Sequence, residues 1–215
     1  MSSTKVNTSY GVRPDKHTTD AISKLQPEDG VIVFDTDNQV NRMWNGVEWK
    51  AFPEGSDTVS KTGFIDYNDS SGDLTISSDT WVDVPNNGLG AFTNKTYKPT
   101  LINEVLDGST GYLDFSELTL GSQLLIRNDF TVTPNTNNSL LEVRYLLGQG
   151  AGEYALKFWS ERLDSGSGIG YQRVISFPIY MVDTNTQGGV GKLQVKLSTT
   201  GSINNAGSYI KIDIR

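Results

Sequence analysis

The stretch Gln123-Leu-Leu-Ile-Arg-Asn-Asp-Phe-Thr-Val-Thr133 shows the alternation that decides the fold class. One face carries the apolar side chains of Leu124, Ile126, Phe130 and Val132. The other carries Arg127, Asp129 and Thr131. Because successive side chains of a strand point to opposite faces, this pattern predicts a strand with one buried side. Asn128 is the only polar residue on the inward face.

Runs of the same kind recur on both sides of this stretch, separated by turns rich in Gly, Asn, Ser and Thr. No long helical period interrupts them, which favours a sandwich or barrel. We therefore predict an all-β chain with an antiparallel jelly-roll-like β-sandwich over residues 61–215. The further strands are predicted at 63–67, 74–76, 80–84, 140–147, 153–159, 171–182, 191–198 and 208–214. Ile210, Ile212 and Ile214 form a regular inward face, which places the last strand inside the fold.

The run Ile175-Ser-Phe-Pro-Ile-Tyr-Met-Val182 is apolar on both faces. A sandwich strand normally buries one face only, so the second face is expected to meet another subunit. Pro178 lacks a backbone N–H and is therefore expected at a sheet edge or a bulge.

The N-terminal residues 1–55 differ from the rest of the chain in their composition and predicted elements. Residues 1–27 are polar, with a short helix predicted around 19–25 behind a threonine cap. Residues 28–53 predict a small β-meander, with strands at 31–34, 39–44 and 47–52 and a hairpin turn at Asn45-Gly46. Three strands of this size are marginal alone, so a partner is expected. We assign 1–55 to an N-terminal segment, 56–60 to a hinge and 61–215 to the sandwich.

Composition excludes several classes of function. The 215 residues include 18 Lys and Arg against 25 Asp and Glu, a net charge of −7, and the basic residues do not cluster, so no nucleic-acid partner is expected. There is no cysteine and one histidine, His17, read as a solvated loop residue, which argues against a zinc site or a Ser-His-Asp triad. No run resembles a signal peptide or a membrane span, so synthesis in a cytoplasm is expected.

No catalytic residue, metal ligand or cofactor is predicted, and the chain is not expected to be an enzyme. Residues 66–73 place oxygen ligands at alternate positions, but the glycine comes one place late and Ser77 stands where a calcium loop needs Glu. A polar hairpin loop is the favoured interpretation, with calcium as the alternative. The glycine-rich runs 148–152 and 166–170 open no helix, and they read as strand connections.

The run Gly30-Val-Ile-Val-Phe-Asp-Thr-Asp37, followed by Met43-Trp-Asn-Gly-Val-Glu-Trp49, resembles a short module of tailed-bacteriophage fibre and decoration proteins. The resemblance covers about 25 residues. It implies that residues 1–55 attach the protein to a phage head or tail. The expected anchor contacts are Val31, Val33, Phe34, Met43, Trp44 and Trp49.

Three further runs, 80–86, 112–118 and 121–127, are similar to the trimeric TNF-like jelly rolls at the tips of phage head and tail fibres. Members are homotrimers that bury one sheet edge and the last strand near the three-fold axis. The implied trimer interface consists of Ile175, Phe177, Ile179, Met181 and Ile212. The chain lacks a His-x-Asp metal knot and a repetitive shaft, so a short head fibre or decoration protein is implied.

The leading interpretation is a homotrimeric structural protein of a phage virion, with capsid or tail proteins as partners. The alternative is a tail-fibre adhesin that recognises host surface glycan through loops 86–99, 148–152 and 164–170. A glycan-degrading enzyme is the third candidate.

Overall fold

The computed structural model describes residues 14–51, 60–164 and 166–215. The chain divides into two compact units, residues 1–58 and 59–215. The hinge predicted at 56–60 lies outside the described residues except for Ser60, as does Phe52 at the end of the third predicted strand.

Over residues 14–51, the N-terminal unit forms a four-stranded sheet with one short helix. Its elements are β1 Asp15–His17, α1 Thr19–Ser23, β2 Ile32–Asp35, β3 Val40–Trp44 and β4 Trp49–Ala51. The strand order is β1-β2-β3-β4. The predicted meander is confirmed as β2, β3 and β4, which pair antiparallel. The sequence did not predict β1, which pairs parallel with β2 and contains His17, so the interpretation of His17 as a loop residue is wrong.

Helix α1 starts where the sequence predicts, because the Thr18 hydroxyl accepts a hydrogen bond from the Ala21 N–H at 3.3 Å. It ends at Ser23, two residues earlier than expected, and buries only Ile22.

In its described residues, the second unit contains ten strands and two short helical turns. They are β5 Thr62–Asn68, β6 Asp73–Ile76, β7 Val82–Asp83, β8 Leu113–Asp114, β9 Gln123–Pro134, β10 Ser139–Leu147, a 3-10 turn Gly150–Gly152, β11 Tyr154–Leu163, β12 Tyr171–Tyr180, α2 Thr184–Gln187, β13 Val190–Leu197 and β14 Gly201–Asp213. None of the helices in the described ranges is long and apolar enough to cross a membrane.

These strands form two antiparallel sheets. The front sheet has the order β12-β9-β14-β5, with β6 also paired to β14. The back sheet has the order β11-β10-β13-β7, with β8 also paired to β13. From β9 onward the chain crosses between the sheets four times, with β9 in front, β10 and β11 behind, β12 in front, β13 behind and β14 in front. This is a jelly-roll arrangement, and the predicted all-β fold class is confirmed.

The core lies between the two sheets. Every apolar residue predicted on the inward face of β9 is buried, and so is Asn128. Strand β14 lies between β9 and β5, as the isoleucine pattern predicts. Strand β12 forms an edge of the front sheet, where Pro178 needs no ladder partner for a backbone N–H.

Candidate functional site

Four of the five predicted trimer-interface residues, on β12, just after it and on β14, are buried in the core. Ile175 is 8% exposed, Ile179 is 3% exposed, and Met181 and Ile212 have no exposed surface. Phe177 is half-buried and stacks on Phe158, with the ring centroids 4.4 Å apart. A side chain buried within one chain has little surface left for another chain. Ile175, Ile179, Met181 and Ile212 therefore belong to the core of their own chain rather than to an interface, whereas Phe177 keeps some exposed surface.

The opposite face of β12 carries the second apolar surface that the sequence indicates. Val174 is 67% exposed, Tyr180 is 59% exposed and Val182, just after the strand, is 55% exposed. Leu125 of β9 lies beside Pro178 in the strand register and is 45% exposed. We call these five residues the apolar patch. Exposed aliphatic groups grouped at one sheet edge indicate a contact surface.

Aromatic side chains occupy the other edge of the same face. Phe64 of β5 lies 5.2 Å from the Tyr97 ring and 5.3 Å from the Tyr209 ring, measured between centroids. Tyr97 is 60% exposed, and its segment pairs with β5 through a bond from the Phe64 N–H to the Tyr97 carbonyl at 3.0 Å. We call Phe64, Tyr97 and Tyr209 the aromatic patch.

A charged strip separates the two patches. Arg127 pairs with Asp129 at 2.9 Å, and its guanidinium lies 5.5 Å from the centroid of the Tyr209 ring. Lys211 and Asp213 stand on the neighbouring strand β14. The pKa of the Asp66 carboxyl is raised, mainly by burial. The negative charge of Asp129 adds to this increase, and the positive charge of Arg127 opposes it. The strip carries both signs of charge, so it does not repel a second copy of itself as a single-sign surface does.

The predicted anchor residues lie in the N-terminal sheet, but they do not form one exposed surface. Val33 is buried at 4% exposure, whereas Val31 is 39% exposed. Trp44 and Trp49 make an edge-to-face contact at 5.7 Å between ring centroids. Phe34 and Met43 are partly buried. The sheet therefore uses part of this set for its own packing, and an anchor surface must also involve neighbouring exposed residues.

Asp35 organises this unit, although the sequence analysis assigned it no role. It has no exposed surface and accepts hydrogen bonds from Thr19 Oγ1 at 3.0 Å, Asn38 Nδ2 at 3.0 Å and Arg42 Nε at 2.7 Å. Burial alone would raise the pKa of Asp35, but the hydrogen bonds from Asn38, Arg42 and Thr19 outweigh it and hold the pKa far below its usual value. Asp35 thus links α1, β2 and β3.

The loops proposed for glycan recognition differ in character. Loop 86–99 presents Leu89 and Phe92 at 79% and 81% exposure, and the Gly90 N–H holds it to the Asn68 carbonyl at 2.8 Å. In loop 148–152, the Gly152 carbonyl accepts a bond from Asn185 Nδ2 at 2.9 Å. Loop 164–170 contains residue 165, which lies outside the described residues.

The acidic loop at 66–73 uses its oxygens internally. Asp69 accepts hydrogen bonds from the Asn87 N–H at 2.7 Å and from the Ser71 N–H at 3.3 Å. Asp66 lies within β5 rather than in the loop. In the part of the chain that the structure describes, no three acidic or histidine side chains come together in a way that could hold a metal ion.

Comparison with known proteins finds similarity at the level of structure only. No protein-family model matches the chain. No curated protein matches it in sequence. Similar solved structures include the Eiger TNF of S. frugiperda, at 10% identity, TM-score 0.42, 72% of this chain and 92% of that chain. The VP2 subviral particle of infectious bursal disease virus is also similar, at 10% identity and a TM-score of 0.38, over 88% of this chain and 40% of that chain. The PRD1 vertex protein P5 is similar at 19% identity and a TM-score of 0.31, over 72% of this chain and 96% of that chain.

The structures that this chain is similar to thus include a TNF ligand and viral capsid and vertex proteins. None of these TM-scores reaches 0.5, so the jelly-roll assignment rests on the strand order and register of the chain itself.

Proposed function

We propose that this chain is a homotrimeric structural protein of a phage virion, with the jelly roll as the trimer-forming unit and the N-terminal unit as the attachment segment. The observation that carries the trimer is the outer face of the front sheet, where the apolar patch stands exposed on a strand whose inner face already fills the core. The virion location and the attachment role are supported by the resemblance of residues 30–49 to the phage fibre and decoration module.

The occupant of the apolar patch is proposed to be a second copy of this chain. The apolar patch and the aromatic patch lie at opposite edges of one sheet face, at β12 and β5. Two different patches on one face suit a head-to-tail contact, in which one copy's apolar patch covers the next copy's aromatic patch. Contacts of this kind close into a ring when the rotation between copies permits. Three copies make the ring that the resemblance to TNF-like jelly rolls implies.

The mass of the full chain in solution tests the trimer. Light scattering after size exclusion is expected to give three times the 23.6 kDa protomer mass. Val174→Asp and Tyr97→Asp each place a charge in one of the two patches and should each dissociate the trimer. Leu140→Asp is the matched control, because Leu140 is 41% exposed on the back sheet. If the wild-type protein is a monomer in solution, the proposed trimer is wrong.

Mixing the two interface variants distinguishes head-to-tail from self-to-self contact. The Val174→Asp protein keeps an intact aromatic patch, and the Tyr97→Asp protein keeps an intact apolar patch. A mixture should therefore form a heterodimer through one intact contact, whereas each variant alone remains monomeric. If the mixture also stays monomeric, the head-to-tail geometry is wrong.

Attachment is tested separately. Purified virions should contain the chain by mass spectrometry, and an electron-microscopy map should locate it on head or tail. A protein that lacks residues 1–55 should remain a trimer but no longer join particles. Val47→Asp changes an N-terminal residue that is 81% exposed and should weaken attachment without changing the mass of the trimer. Particles that still carry the truncated protein would contradict the anchor assignment.

A further inference from the structure

The outer face of the back sheet carries a feature that the trimer does not use. Trp81, immediately before β7, is approached by three cations. The Arg144 guanidinium lies 4.0 Å from the centroid of its ring, the Lys196 ammonium 5.2 Å and the Lys157 ammonium 5.8 Å. We call these four residues the Trp81 platform. In a chain with a net charge of −7, three cations on one ring form a local reversal of charge.

The strand register produces this cluster. Gln194 of β13 lies opposite Arg144 of β10, and Arg144 lies opposite Lys157 of β11. In the next row, Lys196 lies opposite Glu142. Neighbouring strands are about 4.8 Å apart, so the cations form a flat array on the sheet surface.

Arg144 is held in a fixed orientation. Its Nε donates to Gln194 Oε1 at 2.7 Å, and Gln194 Nε2 donates to Asp83 Oδ1 at 2.6 Å. Tyr112 donates its hydroxyl to the other Asp83 oxygen at 2.8 Å. Among the described residues, the hydrogen bond from Arg144 to Gln194 uses Nε only, and we infer that the Nη groups can meet an incoming ligand. A guanidinium fork fixed in this way is suited to a planar carboxylate.

The anions nearby only partly compensate the cations. Glu142 is shared by two lysines, since it pairs with Lys196 and lies 3.5 Å from Lys157. Asp83 accepts bonds from Gln194 and Tyr112. Burial lowers the pKa of Arg144, and the attraction of Asp83 and Glu142 does not fully offset this effect. The platform therefore retains a net positive charge.

We propose that the Trp81 platform binds an acidic polysaccharide, with the Arg144 fork on a carboxylate or sulfate and Lys157 and Lys196 on neighbouring anionic groups. A polymer with repeated charges can meet several cations of a flat array at once, whereas a single small anion meets one or two. The half-buried Trp81 ring, 4.0 Å from the Arg144 guanidinium, attracts this cation and offers apolar surface beside it. Glu142 and Asp83 disfavour a uniformly charged ligand such as duplex DNA, because each would face phosphates at close range. The site lies on the back sheet and does not depend on the trimer or on virion attachment.

Binding of three defined polymers to the full chain tests the proposal. Alginate carries carboxylates, heparin carries sulfates as well, and dextran is neutral. We expect alginate or heparin to bind in calorimetry at low ionic strength, and dextran not to bind. Binding by alginate alone identifies a carboxylate ligand, and binding by heparin alone identifies a sulfate ligand. If neither acidic polymer binds, or if dextran binds equally well, the proposal is overturned.

Variants assign the binding to the platform. Arg144→Ala should weaken binding about tenfold or more, since charge-assisted hydrogen bonds are lost. Arg144→Lys keeps the charge but loses the fork and should weaken binding less. Lys157→Ala should also weaken binding, and its 61% exposed side chain makes a folding defect an inadequate explanation. Lys61→Ala, at an exposed position before β5, is the matched charge control and should bind normally.

Unchanged affinity in both Arg144→Ala and Lys157→Ala would show that the polymer binds elsewhere. Binding to a DNA duplex with the same dependence on Arg144 would show that the site lacks preference for sugar polymers, which also contradicts the proposal.

Discussion

Tyr145 donates its hydroxyl to Oδ1 of Asn128 at 2.7 Å, and this bond joins the back sheet to the front sheet inside the core. Ser208 donates to the same oxygen at 3.2 Å. Burial raises the pKa of Tyr145, so the phenol stays protonated as a donor. Asn128 Nδ2 has no partner among the described residues, and the side chain lines a cavity of about 20 Å³. A cavity of this size, partly lined by Asn86, Asn128 and Ser208, is large enough for one water molecule, which we expect in a high-resolution crystal structure.

The two residues should be energetically coupled. Tyr145→Phe should lower the free energy of unfolding by about 1 kcal/mol, because a buried hydrogen bond is lost. Asn128→Leu should cost about 1–3 kcal/mol, since it leaves two buried hydroxyls without an acceptor. The double variant should cost less than the sum, as measured by urea denaturation. Leu89→Ala, at a side chain that is 79% exposed and outside both patches, is the control. Strictly additive effects would mean that the bond contributes little.

Gly207 should tolerate no side chain. It lies at a bulge between β14 and β9, with a φ of +134°. A Cβ atom there would stand 2.2 Å from the Tyr67 carbonyl oxygen. Gly207→Ala should therefore lower the free energy of unfolding by about 1–3 kcal/mol from backbone strain, and the steric clash with Tyr67 should add to this loss. Gly108→Ala, with open space around it and no positive φ, should change stability little. Equal stability of the two variants in denaturant would contradict the strain at the bulge.

The N-terminal unit should be sensitive to acid. The folded-state pKa of Asp35 lies below the ordinary value of 3.8, so its contribution to stability is complete above that pH and is lost as the pH falls further. Tryptophan fluorescence of Trp44 and Trp49 should report unfolding in this range. Asp35→Asn should unfold more easily at neutral pH and lose the acid dependence. An unchanged acid transition in Asp35→Asn would assign the effect to other carboxyls.

The ion pair of Arg173 with Glu161 closes one edge of the sandwich. Arg173 Nε and Nη2 each donate to one oxygen of Glu161 at 2.6 Å, and this contact raises the pKa of the guanidinium. Both side chains are partly exposed, so Arg173→Lys should lower stability by only about 0.5–1 kcal/mol. The difference should shrink at high salt. Arg162→Lys, at an exposed neighbour, is the control, and an equal loss there would rule out a special role for the fork.

The sequence predicts most of the sandwich because most strands have one solvent-exposed face, and their residues therefore alternate between polar and apolar. In β9 the alternation identifies every inward residue, and it also singles out Asn128, whose polar side chain then proves to hold Tyr145. Strand β1 is different: Asp15–His17 has no apolar period, and it is a strand because β2 offers a parallel edge. Local pattern cannot reveal such a dependence.

The candidate site was only partly predictable. On β12 both faces are apolar, so the alternation shows that two surfaces need cover without showing which one the core takes. The structure assigns Ile175 to the core and Val174 to the surface. The Trp81 platform could not be predicted from the sequence, since Arg144, Lys157 and Lys196 come from three strands and Trp81 precedes a fourth, and the strand register decides which side chains meet. The aromatic patch depends on the same long-range pairing.

The central place of β14 has a consequence for biosynthesis. Residues 201–213 pair with β9 on one side and with β5 and β6 on the other. While the ribosome is still making this strand, the earlier strands of the front sheet have unpaired edges and an open core. Contacts between distant parts of a chain form slowly, and the folding intermediates that precede them expose apolar surface and are prone to aggregate. We therefore expect nascent chains to associate wrongly with one another until β14 has been made and has paired.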